Sequence, residues 1–117
     1  MAVNRIAFTM YPVADMAKGV AFYRDVLGLT AGSIASDFWT EFEIGGSTFG
    51  IGTFEQVGKP GTAQSLSLEV DDMVAFRKKL AEHGVESSEP HETPVCFISV
   101  LSDPDGNKLC LHQSKPR

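Results

Sequence analysis

No stretch of this 117-residue chain is apolar over anything near the ~20 residues that cross a bilayer as a helix. The opening residues, MAVNRIAF, also lack the basic segment and apolar core of a secretion signal. The expectation is a cytoplasmic protein with no membrane partner. Positive charge is in short supply, with ten Lys and Arg against fifteen Asp and Glu and a formal net charge of −5. Gripping a phosphate backbone takes clustered cations. The one basic run, Arg77-Lys78-Lys79, falls where a helix would expose its outer side, so no nucleic-acid partner is expected. Cysteine is rare, with Cys96 and Cys110 alone, and two unpaired thiols suit a reducing compartment. What remains is 43% hydrophobic and 21% charged. A chain of this size buries roughly two thirds of its unfolded surface and needs no disulfide or metal staple.

The chain repeats itself. Val13-Ala14-Asp15-Met16 is echoed 57 residues later by Val70-Asp71-Asp72-Met73. Each copy follows a strand-like stretch, residues 6–10 and 65–70, and opens a helical one with Asp as the N-cap. The first helix is predicted over residues 16–27, with Met16, Val20, Tyr23 and Leu27 as its apolar stripe and Gly28 as its stop. The second is predicted over residues 73–83, with Met73, Phe76 and Leu80 inward and Gly84 ending it. Strands follow each helix: 38–44 and 47–53 around Gly45-Gly46, then 96–102 and 107–113 around Asp103-Pro104-Asp105-Gly106. A further short strand is expected near residues 29–34 and again near 85–88. The unit is β-α-β-β-β, and two copies, about 1–57 and 63–117, fill one α+β domain spanning 1–117. Residues 58–62 join them.

Pairing separates two faces of each sheet. A two-residue Gly-Gly turn sets Ile44 against Ser47, Phe42 against Phe49 and Thr40 against Ile51. Because side chains alternate along a strand, Phe38, Thr40, Phe42, Ile44, Phe49 and Ile51 share the face under the helix. Trp39, Glu41 and Glu43 lie on the second face, opposite Gly52, Gly50 and Thr48. In the later hairpin a four-residue loop would set Ser102 against Asn107 and Ile98 against Leu111, with Ile98 and Val100 under the helix. That register sends Phe97, Ser99, Leu101, Lys108, Cys110 and His112 to the second face. It also turns Cys96 toward the helix and Cys110 away from it, so the two form no disulfide. Leu66, Leu68 and Val70 are core, with Ser65, Ser67 and Glu69 opposite. Two such sheets could curl into a cup lined by their second faces, and both registers must hold for that lining to be right.

Several of these residues form a known pattern. Ala21-Phe22-Tyr23-Arg24-Asp25-Val26-Leu27-Gly28-Leu29, after a strand and V-x-D-M, resembles the F-Y-x-x-x-L-G-L signature of the vicinal oxygen chelate superfamily. That group includes glyoxalase I, bleomycin-resistance proteins and extradiol dioxygenases. Ser102-Asp103-Pro104-Asp105-Gly106-Asn107-Lys108-Leu109 resembles its D-P-D-G-N hairpin. The resemblance implies paired β-α-β-β-β modules forming a cup, often as a homodimer. In the superfamily's metalloenzymes a divalent ion sits there on His, Glu or Gln side chains. By distance from the shared motifs, those positions fall here at Phe8, Ser65, Cys110 and near Gly50. Phe8, Gly50 and Ser65 are not competent ligands, and Cys110 alone cannot hold an ion that wants several converging donors. No metal and no cofactor are therefore expected, which disfavours metal-dependent lyase or dioxygenase chemistry.

The candidate binding residues are Phe8, Met10, Trp39 and Phe97 as apolar walls, with Glu41, Ser65, Cys110 and His112 as polar contacts. Trp39 could stack on a planar or cationic ligand, or simply pack. Glu41 stands across from Gly50, where a family ligand would act, or is an exposed strand carboxylate. Cys110 and His112 share a face but lie ~6.5 Å apart along the strand, awkward for a thiolate–imidazole pair. His83 and His91 read as helix-end and loop residues, and Asp103 and Asp105 as turn residues rather than calcium ligands. The expected function is a metal-free cup that binds a small organic ligand. The alternative is a lyase, isomerase or dioxygenase-type enzyme, using a displaced metal site or acid–base catalysis by Glu41 or His112.

Overall fold

In the computed structural model, which describes residues 1–116, the chain divides into two compact units, the first ending at Pro60 and the second starting at Gly61. The first unit runs β1 (Thr9–Pro12), α1 (Met16–Val20), a wider helical turn (Ala21–Val26), β2 (Thr30–Ala35), β3 (Trp39–Ile44), β4 (Ser47–Gly52) and a 3-10 turn (Glu55–Val57). Its mixed sheet has the order β1-β4-β3-β2, with β1 parallel to β4 and the other neighbours antiparallel. The second unit runs β5 (Leu66–Glu69), α2 (Met73–Glu82), β6 (His91–Glu92), β7 (Cys96–Ser102) and β8 (Lys108–Ser114). Its sheet repeats the plan as β5-β8-β7-β6, with β5 parallel to β8. Among the described residues no helix is long and apolar enough to cross a membrane.

Both helices begin as the V-x-D-M repeat predicts. The Asp15 carboxylate accepts from the Lys18 N–H at 3.0 Å, and Asp72 accepts from the Ala75 N–H at 3.0 Å. Each satisfies one of the N–H groups a helix start leaves unpaired. The second helix keeps its predicted face, with Met73 and Leu80 buried and Phe76 half-buried. The first departs from a regular 16–27 helix. After one α-turn it widens, so that the Leu27 N–H reaches the Phe22 carbonyl five residues back. The wider turn puts the adjacent Phe22 and Tyr23 into the core together, which a 3.6-residue stripe cannot do. Met16 and Val20 are left half-buried. Gly19 lets this helix approach the sheet, since an added Cβ there would stand 3.0 Å from Ile51 Cδ1.

The first strand, Thr9–Pro12, starts three residues and ends two residues later than the expected 6–10. Its register follows the parallel partner, with Thr9 beside Phe49 and Tyr11 beside Ile51. Tyr11 and Val13 are thereby buried, and Tyr11 packs edge-on against Phe49 at 5.4 Å. The strand expected near residues 85–88 is reduced to a single bridge, Ser87 with Leu101. The edge strand of that sheet is β6, which takes in His91, expected in a loop. Pro90 lies between the two and cannot donate to a ladder.

The Gly-Gly hairpin has its predicted register throughout, from Ile44 with Ser47 to Trp39 with Gly52. Phe42, Phe49, Ile51 and Thr40 are buried together as predicted, while Phe38 lies before the strand and is exposed. The second hairpin is one residue out. Ser102 pairs with Lys108, not Asn107, and Ile98 with His112, not Leu111. The loop holds three residues, because Asp103 and Asn107 close it: the Asp103 N–H donates to the Asn107 carbonyl at 2.9 Å. Gly106 supplies the left-handed residue such a loop requires, at φ 90°. Asp103 Oδ1 accepts from the Asp105 and Asn107 N–H groups, and Oδ2 from Asn107 Nδ2. These are turn bonds, in line with reading both aspartates as turn residues. Since side chains alternate, the one-residue change exchanges the faces of β7. Ser99 and Leu101 are buried with Leu109 and Leu111, and Val100 is exposed.

Candidate functional site

The second face of the first sheet centres on Trp39. A tight turn delivers it: Ser36 Oγ accepts from the Phe38 and Trp39 N–H groups at 3.2 and 3.1 Å. The indole then lies across the neighbouring strand, where an added Cβ at Gly50 would overlap its six-membered ring. Gly52 is similarly covered, with Val57, Phe54 and Trp39 around the place a Cβ would take. Only glycine leaves room for the ring at these positions. Phe8 meets Trp39 edge-on at 5.1 Å between centroids, and Phe54 flanks it at 6.0 Å. Trp39 Nε1–H donates to Glu41 Oε2 at 2.9 Å, which fixes the ring's orientation and keeps the carboxylate beside it. Met10, beside Gly50 on the parallel strand, completes an apolar patch with a single acidic edge. Phe8, Met10, Trp39 and Glu41 are thus brought together in one unit, while Phe54 and Val57 belong with them and carried no sequence signal beyond being apolar.

The second sheet presents a different second face. Glu69 and His112 are direct partners on parallel strands, and His112 Nδ1 lies 2.6 Å from Glu69 Oε1. The other carboxylate oxygen, Oε2, accepts from the Ser114 N–H at 2.8 Å. Both contacts favour the ionised acid, the His112 hydrogen bond first and the backbone N–H next, so Glu69 is held below the usual carboxylate range. Glu69 was legible only as a second-face residue; its pairing with His112 needs the parallel register of β5 with β8. Cys110 shares this face, half-buried and beside Ser67. Ser65 lies just before β5 and is exposed. Phe97 is corrected from the expected second face: it pairs with Gln113 on the side of Ser99 and Leu101, with Lys115 Nζ 5.1 Å above its ring. Cys96 pairs with Ser114, which by strand alternation puts it on the face of Ile98 and Cys110 rather than toward the helix as expected, and both thiols are free.

The superfamily's metal positions can be tested against these residues. Phe8 has no donor atom, and its ring is engaged with Trp39. The space above Gly50 is filled by an indole. Ser65 and Cys110 leave one weak hydroxyl and one thiol, a set that does not fit a divalent ion. Among the described residues no group of three His, Cys, Asp or Glu side chains is placed to hold a metal.

Two β-α-β-β-β modules in tandem, each with one face under its helix and a second face free of it, define an α+β repeat protein. The chain belongs to the Glyoxalase/Bleomycin resistance protein/Dioxygenase superfamily, whose family profile matches residues 5–111. Among solved structures it is similar to TnmS3, an antibiotic binding protein from Streptomyces sp. CB03234. The two are 28% identical with a TM-score of 0.85, covering 98% of this chain and 99% of the other. A glyoxalase/bleomycin resistance protein from the same organism is also 28% identical, with a TM-score of 0.81 over 93% of this chain and 100% of that one. A lactoylglutathione lyase from Agrobacterium tumefaciens shares the fold at 18% identity and a TM-score of 0.79, covering 97% and 96%. No curated protein matches the chain.

Proposed function

We propose that this protein binds a small, planar organic molecule against the second face of its first sheet, and does so without a metal. The observation that carries the reading is the Trp39 ring, laid over Gly50 and Gly52 and flanked by Phe8 and Phe54. Such a patch offers a large apolar contact whose orientation is already set by the bond to Glu41, so little ordering is left for the ligand to bring about. The remaining oxygen of Glu41 offers a hydrogen-bond acceptor or a counter-charge at its edge. An antibiotic binding protein at 28% identity supports the same reading.

Trp39 is the only tryptophan, so its emission reports the site directly. Titration with a panel of planar aromatic antibiotics is expected to quench that emission, and the ligand that quenches should raise the unfolding temperature. Trp39→Ala should remove the thermal shift. A ligand that stabilises the Trp39→Ala variant as much as the parent protein binds elsewhere and refutes the assignment.

A further inference from the structure

The basic run Arg77-Lys78-Lys79 lies on α2, and the structure divides it. Lys79 turns to the ring of Phe76, with Nζ 5.4 Å from the centroid. Arg77 and Lys78 instead line a hollow of about 670 Å³ on the flank of the helix, beside the buried Met73 and Leu80. Val74, Arg77, Lys78 and Ala81 follow the spacing i, i+3, i+4 and i+7, which puts all four on one side of the helix.

The opposite wall is the chain returning from the helix end. Gly84, at φ 75°, makes the left-handed turn, and the Val85 N–H donates to the Leu80 carbonyl at 2.9 Å. The returning segment is pinned to the sheet, where Ser87 bridges Leu101 and the Ser88 N–H donates to the Val100 carbonyl at 2.9 Å. Arg77 spans the two walls: Nε donates to Ser87 Oγ at 3.0 Å and Nη2 to the Ser87 carbonyl at 3.2 Å. Its guanidinium is thus held in place, mostly covered, while Nη1 has no partner among the described residues. Lys78 has neither a hydrogen bond nor an ion pair there, and it is exposed. The acidic neighbours are exposed too. Glu89 stands 3.7 Å from Nη2, a loose pair that solvent weakens, and Glu86 borders the hollow.

Two cations with unused donors therefore face a floor of Val74, Ala81 and Val85. Val74 is 77% exposed, a large apolar side chain that the fold leaves uncovered. The volume falls within the ~300–1,000 Å³ of small-molecule sites, and a fixed guanidinium suits the planar geometry of a carboxylate. We infer that this hollow binds the carboxylate of a small organic acid. Arg77 Nη1 and Lys78 Nζ donate to it, and the acid's hydrocarbon part covers Val74, Ala81 and Val85. Ser87 is the positioning residue that holds the guanidinium.

The probe is hexanoate, with hexanamide as the uncharged control, added to the full chain at low salt. Hexanoate is expected to give saturable shifts of the Arg77 Nε–H resonance and of the Val74 and Val85 methyl signals, with weaker binding as salt is raised. Lys78→Gln, which replaces an exposed and unpaired side chain, should raise the dissociation constant about threefold. Arg77→Lys keeps the charge but loses the fork, and should raise it about tenfold. Glu86→Gln removes an opposing charge and should lower it. Lys79→Gln removes a positive charge one residue away, outside the hollow, and should bind hexanoate like the parent protein. The inference fails if hexanamide gives the same shifts at the same midpoint, or if hexanoate gives no saturable shift. It fails equally if Lys79→Gln weakens binding as much as Lys78→Gln, since attraction would then be to the helix's charge in general.

Discussion

Trp39 owes its position to residues that have almost no side chain. The indole occupies the volume above Gly50 and approaches Gly52, so the glycines act here by leaving space rather than by bending the backbone. Gly50→Ala therefore has a definite consequence. The new methyl group cannot coexist with the ring, and the indole must swing off the sheet, breaking its bond to Glu41. Overpacking of this kind costs about 1–3 kcal/mol. The expected signature is a red-shifted Trp39 emission together with a lower midpoint in urea. An unchanged emission maximum would mean that the ring is not where the structure places it. Trp39, Glu41 and Gly50 were readable as one face from the hairpin register alone. The overlap between the ring and Gly50 was not, because it depends on a side-chain torsion that no pattern encodes.

At the scale of elements, two hairpins of similar look behaved differently. Gly45-Gly46 admits one short turn, and its register could be counted outward without error. Asp103-Pro104-Asp105-Gly106 admits either a three- or a four-residue loop, and the choice is made by Asn107. That side chain is fully buried; its Oδ1 accepts from the Gly61 and Ala63 N–H groups at 2.9 and 3.2 Å, and its Nδ2 donates to Asp103. Partners so far back along the chain cannot be inferred from the motif itself. Asn107→Ala removes the acceptor shared by the Gly61 and Ala63 N–H groups and the Nδ2 donor to Asp103, at about 1 kcal/mol for each hydrogen bond lost. Thermal unfolding is expected to show a loss of several degrees, with amide exchange at Gly61 and Ala63 accelerated. Loss of stability without faster exchange at those two amides would argue against Asn107 as the lock. The same closing contact moved Phe97 to the helix side, and the first helix widened for a comparable reason, to seat two adjacent aromatic rings.

For the whole molecule, the response to pH and to metals distinguishes the two units' chemistry. Glu69 is held below its ordinary value, so it contributes stability that is present above the unfolded value of about 4.3 and lost as the pH falls through the folded one. Parent protein and Glu69→Gln should accordingly differ in urea midpoint at pH 7 and converge as the pH is lowered from about 4 toward 2. Exposure of the pair keeps the difference small. A gap that persists at pH 2 would show that the substitution acts through packing. Metals are expected to leave no trace. After incubation with Ni²⁺, Zn²⁺, Mn²⁺ or Fe²⁺ and desalting, elemental analysis should find far less than one ion per chain. Stoichiometric retention would overturn the metal-free reading.

The tandem repeat, its capped helices, the strand alternation and the family motifs are local properties, set by residues a few positions apart. They determine the architecture and the first sheet's faces without reference to any long-range contact. Three features were decided by contacts between residues distant in sequence: the second hairpin's register, the pairing of Glu69 with His112, and the aromatic layer over the glycines. Each depends on which strand lies beside which, and at what offset. Parallel neighbours such as β5 and β8 are joined through a long connection that leaves that offset open. Burial of Leu68, Leu109 and Leu111 on one side of the sheet selects it, and the polar pair on the other side follows.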